Sequence, residues 1–241
     1  LLEAEEVTRK ALELDPTLID GIINLGLILL SKGELKEAEL LTLSAINKDP
    51  NNGDAYLNLG AIYQEAGDWD KAELNTRRAI EINSTLTDAH KNLSGILRAQ
   101  GRLAEALYEA NVETKYFPEK DSGYQLLALI LSEINLSDIA EVELRTLLQK
   151  LMKRKDINHQ GLIKVIDKVV NDEFIKDKYK DKDSILNNEC VNKLTEDKIF
   201  IQSLSRILFN TVKWEKVLTK IRRDICLEVM LVDNNISSDK L

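Results

Sequence analysis

Residues 53–84, GDAYLNLGAIYQEAGDWDKAELNTRRAIEINS, decide the fold. Ala55, Tyr56, Leu59, Ile62 and Tyr63 recur at the i, i+3/i+4 spacing of a helix with one apolar face. Gly67 and Asp68 interrupt it, because glycine takes up a helix-ending backbone without a Cβ clash. A second apolar series, Ala72, Leu74, Ala79 and Ile80, predicts a second helix with these four side chains inward. Mixed large and small residues let one helix nest against the next.

The same unit recurs every 34 residues. Pro16 and Pro50 are one period apart, Ser84 fills the next slot and Pro118 the one after. Gly26 and Gly60 keep the beat, as do Gly33, Gly67 and Gly101, and the alanines Ala4, Ala38, Ala72, Ala106 and Ala140. A fixed period of this length marks a stacked helix–turn–helix array, whose units bury their apolar faces only against one another.

The pattern resembles the tetratricopeptide repeat (TPR) family, whose repeats read W-x2-L-G-x2-Y, then A-x3-F, then P. Tyr56, Leu59, Gly60, Tyr63, Ala72 and Thr76 match these slots, with Ser84 at the proline position. The unit from residue 19 offers Ile22, Leu25, Gly26, Leu29, Ala38, Thr42 and Pro50. The unit from residue 87 offers His90, Leu93, Ser94, Leu97, Ala106, Ala110 and Pro118. The unit from residue 121 keeps Tyr124, Leu127, Ala128, Leu131 and Ala140, then decays, with Asn135 in place of the mid-repeat glycine and Met152 in the proline slot. The resemblance implies an all-α, right-handed superhelical solenoid: a half repeat over 1–18, repeats over 19–52, 53–86 and 87–120, and a degenerate repeat over 121–152. A helical C-terminal region follows over 153–241. Because residues 1–16 read as a second helix alone, the expectation is a piece of a longer array.

The charge is divided: 26 acidic and 15 basic side chains over residues 1–150 against 15 and 18 beyond, together giving net −8. An acidic array disfavours nucleic acid, whose phosphates need clustered Lys and Arg. Cys190 and Cys226 are too few for a disulfide framework and read as small core residues. The apolar runs around 22–30 and 126–131 are too short to span a membrane, and the expected location is cytoplasmic. Beyond 152, residues 158–170 form an amphipathic stripe, 176–184 a lysine-rich linker and 185–194 a capped helix. Residues 199–232 are expected to form a helical hairpin on the degenerate repeat.

Enzyme readings find no support. Only Gly161 lies beyond Gly123, so no glycine-rich phosphate loop fits there, and there is no G-x-S-x-G. His90 occupies the aromatic slot of its repeat and reads as a packing residue; with His159 far off, no metal pair is expected. No cofactor is implied.

The constellation that carries chemistry is periodic. Asn24, Asn58 and Asn92 stand 34 residues apart in successive first helices, and Asp20, Asp54 and Asp88 each lie four residues earlier. Residues four apart share one helix face, so stacking aligns the pairs into two ladders. An Asn amide offers an acceptor and two donors, which suits both polar groups of a peptide backbone. The Asp ladder suits hydroxyl-bearing or basic side chains. In the family these positions face the concave groove, and the arrangement is similar to the ladders of O-linked N-acetylglucosamine transferase. The expected partners are extended segments of other proteins. Two readings of the asparagines stand, peptide recognition and packing between neighbouring repeats. The carboxylate clamp of chaperone-binding TPR domains is not matched: Ile23, Leu57 and Lys91 occupy its corresponding sites, Leu27 and Asp20 stand where polar or basic clamp residues would be, and only Lys91 and Arg98 add positive charge. A peptide-binding scaffold is the leading reading. The alternative is the substrate-recruiting part of a larger glycosyltransferase- or methyltransferase-type protein, the latter from a faint likeness of 207–225 to linker helices preceding such domains.

Overall fold

In the computed structural model, described over residues 2–174 and 198–204, helices appear where the apolar spacing places them. They are α1 (Leu2–Leu14), α2 (Ile19–Lys32), α3 (Leu35–Lys48), α4 (Gly53–Glu65), α5 (Trp69–Ile82), α6 (Thr87–Ala99), α7 (Leu103–Tyr116), α8 (Asp121–Glu133), α9 (Glu141–Met152), α10 (Ile163–Phe174) and α11 (Lys198–Leu204). No strand occurs among the described residues. The expected hairpin over 199–232 lies outside the described residues beyond Leu204, as do the lysine-rich linker, the 185–194 helix and both cysteines.

The chain divides into two compact units, Leu1–Ile134 and Asn135–Leu241. In the first, α2 pairs with α3, α4 with α5 and α6 with α7, and the first helices α2, α4, α6 and α8 stack directly on one another. The turn within each pair is tight because Gly33, Gly67 and Gly101 adopt φ of 78°, 76° and 78°, a left-handed backbone that costs glycine nothing. Asn52 and Asp68 cap α4 and α5, their side chains accepting from the Ala55 and Lys71 amides at 3.0 and 3.2 Å. The repeat alanines Ala38, Ala72 and Ala106 are fully buried. Leu25, Leu29, Ala38 and Ile62 form one core cluster, and Ile22, Ile23, Ala45 and Ala55 another.

Leu74 corrects the expected inward set of α5. It is 69% exposed, as are its periodic mates Leu40 (70%) and Tyr108 (67%). Two residues from Ala72, it lies about 200° around the helix from that buried alanine.

Asn135 stands where the next left-handed glycine would fall, and its φ is −72°. Without that turn the chain needs residues 134–140 to pass from α8 to α9, where two or three residues suffice in the preceding pairs. Helices α8 and α9, one repeat by pattern, thus fall on either side of the division between units. In the second unit α9 packs with α10 and α11 around Leu144, Leu148, Leu151, Val165, Ile166 and Phe200. The amphipathic helix expected from 158 starts at Ile163. Asn158 instead accepts from the Gln160 amide at 3.1 Å and holds residues 159–162 in a 3-10 turn.

One junction departs from the repeat. Ala45 and Ala79 are fully buried small residues of second helices; 34 residues on stands Glu113, also fully buried. Its room comes from Gly123, which replaces the buried Ala55 and Ala89 of earlier first helices: a Cβ there would meet Glu113 Cδ at 3.0 Å. The Ser122 hydroxyl donates to Glu113 Oε1 at 2.8 Å, while Oε2 is buried without a hydrogen-bond partner among the described residues. Burial pushes this carboxyl above its ordinary range, opposed by the Ser122 hydrogen bond and the charges of Lys91 and Lys120 and reinforced by Asp88.

Two outcomes follow from this packing. Leu59, 3% exposed, leaves a cavity when truncated, so Leu59→Ala should lose about 2–5 kcal/mol in urea unfolding; a loss under 1 kcal/mol would contradict the core assignment. For Glu113 the folded pKa lies above the unfolded one, so its stabilising contribution is full below the ordinary value of 4.5 and is lost as pH rises through the folded value. Glu113→Gln should therefore melt increasingly above wild type between pH 4 and pH 8, and a pH-independent difference would contradict the buried-carboxyl account.

Candidate functional site

The six ladder residues come together. Asp20, Asn24, Asp54, Asn58, Asp88 and Asn92 all line one open cleft of about 660 Å³ along α2, α4 and α6. Its floor is apolar at Ile23, Leu27, Leu57 and Ala61, and Lys91 enters from α6. The i, i+4 spacing puts each Asp one turn before its Asn, and direct stacking of the first helices puts successive pairs side by side.

The three asparagines are not equivalent. Asn58 is 6% exposed, and its Nδ2 donates to the Ile23 carbonyl at a long 3.4 Å. Asn24 is exposed and Asn92 half-buried; neither amide makes a hydrogen bond among the described residues. The two sequence readings thus separate by position. Asn58 has a packing contact between neighbouring first helices, and Asn24 and Asn92 have free amides in the cleft.

The aspartates are exposed in the first turns of their helices, where a negative charge also complements the helix dipole. Asp88 has Lys120 at 3.7 Å. Asp20 and Asp54 form no ion pair among the described residues. Of the two cations expected near the groove, Arg98 is held bidentately by Glu133 at 2.6 and 2.7 Å, which leaves Lys91 as the exposed one without an ion-pair partner among the described residues. The cleft is therefore acidic on one edge, apolar on its floor and singly basic on α6.

A second cleft of about 430 Å³ shares Lys91 and Asn92 with the first and runs on to Ser122, Gln125, Leu126 and Leu129 of α8. One period after the ladders, Ser122 stands in the aspartate slot and Leu126 in the asparagine slot.

His90 is buried, with Nδ1 2.7 Å from Glu109 Oε2 and its ring stacked on Tyr116 at 6.3 Å between centroids. The sequence names the histidine's packing slot but not Glu109, which lies on the next helix. His159 is buried in the second unit, its Nε2 3.2 Å from the Leu151 carbonyl. Among the described residues no three His, Cys, Asp or Glu side chains are grouped to hold a metal ion, and no helix is long and apolar enough to cross a membrane.

Comparison with known proteins bears on the fold. No curated protein sequence matches the chain. A crystal structure of MamA, 22% identical, superposes with a TM-score of 0.51 over 62% of this chain and 87% of its own. A second MamA structure, 23% identical, gives 0.51 over 62% and 82%. YrrB, described as a TPR protein with an unusual peptide-binding site, is 24% identical over 63% and 76%, with a TM-score of 0.47. The family model for the tetratricopeptide repeat matches residues 41–73, which run from α3 through α4 into α5, and the helix pairs on either side repeat the same packing: the first unit is a tetratricopeptide-repeat solenoid.

Proposed function

We propose that the first unit is a protein-interaction module that holds an extended peptide in the α2–α4–α6 groove. The observation that carries this reading is the free amides of Asn24 and Asn92 beside the exposed Asp20, Asp54 and Asp88 in one cleft. Each Asn amide pairs with a peptide N–H and C=O and so reads backbone rather than sequence. The aspartates select basic or hydroxyl-bearing side chains.

Spacing gives the ligand a period. Directly packed helices lie about 8–10 Å apart, and a chain in the extended polyproline II conformation rises about 3.1 Å per residue with three residues per turn, so residues three apart share one face. Three peptide residues therefore span one repeat, and basic residues at every third position meet the successive aspartates. Each hydrogen bond contributes a net ~0.5–1.5 kcal/mol, part of it offset by ordering the peptide, so affinity is on the order of micromolar.

The test uses a fluorescein-labelled 13-residue peptide with lysine at every third position. Asn24→Ala combined with Asn92→Ala should weaken binding at least ~tenfold with the melting curve unchanged. Asn58→Ala should lower the melting temperature, because it removes a buried contact between repeats. Wild-type affinity in the double variant would contradict the proposal.

A further inference from the structure

Gly95 sits in the groove at a position where the other first helices carry Leu27, Ala61 and Leu129, each 34 residues from the next. Glycine inside a helix is less stable than alanine, so its presence needs a cause. Gly26 and Gly60 have one, since the side chains of Thr42 and Thr76 occupy the space a Cβ would take. Gly95 has no such cause. A Cβ added there meets nothing within 4 Å, and its φ is not in the left-handed region. Neither packing nor backbone conformation calls for glycine.

What Gly95 does is open a notch in the groove floor, within the 430 Å³ cleft that continues the ladder cleft. Leu126 and Leu129 supply apolar walls, the amides of Gln64, Asn92 and Gln125 a polar rim, and Lys91 an exposed cation. Lys91 repels a basic side chain, and the leucines disfavour a carboxylate. A flat apolar body with a polar tip suits all three features. Its ring lies against the leucines, its hydroxyl reaches a rim amide, and its face can accept Lys91.

We propose that the Gly95 notch is a side-chain subsite for a tyrosine of the bound peptide, placed one step beyond the stretch read by the aspartates. This rests on the peptide-groove reading above. The bound segment is then a run with basic residues every third position followed or preceded by a single tyrosine.

The experiment walks one tyrosine through the positions of the labelled lysine-repeat peptide and measures affinity for wild type, Gly95→Ala and Gly95→Leu. On wild type, tyrosine at one position should raise affinity about tenfold over the tyrosine-free parent. Gly95→Leu, which fills the notch as Leu27 and Leu129 fill theirs, should abolish that gain while the parent binds as before. Gly95→Ala should melt above wild type, since a methyl there clashes with nothing, which shows that the position is not held as glycine for stability. If the parent binds but no tyrosine position matters, or if Gly95→Leu keeps the gain, the notch proposal is wrong. If the parent does not bind wild type at all, the groove reading fails and the subsite falls with it.

Discussion

The array depends on how closely the two helices of a repeat approach, and a contact between small residues with one hydroxyl at its centre marks that approach. In the first two full repeats a glycine on the first helix, Gly26 or Gly60, lies against a threonine on the second. Those threonines, Thr42 and Thr76, donate to the carbonyls of Ala38 and Ala72 at 2.7 and 2.8 Å. In the third repeat the pair is exchanged: Ser94 takes the glycine slot, Ala110 takes the threonine slot, and the Ser94 hydroxyl donates to the Ala106 carbonyl at 2.7 Å. The hydroxyl has moved across the interface while the acceptor stays in register. Volume and hydrogen bond are both kept, as a close-packed interior requires. Threonine or alanine where the family pattern has phenylalanine is what permits so short an approach.

That exchange also bears on the groove. With Ser94 in the packing slot, the helix's glycine is free to stand one residue later, at a position that faces the cleft. Close packing of the hairpins aligns the first helices, and their alignment turns a 34-residue sequence period into rows of like side chains. Outside the groove the same period produces the exposed row Leu40, Leu74 and Tyr108 on the second helices. Ion pairs join Arg102 to Glu73 of the preceding repeat at 2.5 Å and to Glu105 at 2.6 Å.

Much of this was legible in the sequence because period and helix geometry are local properties. Pro16, Gly33 and Ala38 with their 34-residue mates place every helix of the first unit, and the i, i+4 relation of Asp54 to Asn58 puts both in one cleft. The unequal burial of the asparagines was not legible. It depends on where α4 settles against the Ile23 carbonyl, 35 residues away. Leu74 fits the alternation of large and small residues, but its angular position, about 200° from Ala72, puts it on the outer face. Glu113 reads as one more surface carboxylate until Gly123 is seen to have vacated the space beside it. Gly95 is off the glycine beat by one residue, and only the open space above it gives it meaning.

The most direct test of the account is an amide and side-chain NH2 chemical-shift map of the labelled protein, titrated with the lysine-repeat peptide. The account predicts saturable shifts at the Asn24 and Asn92 side-chain amides and at the backbone amides of Leu57 and Ala61, with Leu40, Leu74 and Tyr108 unmoved. Shifts concentrated on Leu40, Leu74 and Tyr108, with the asparagine amides silent, would contradict it.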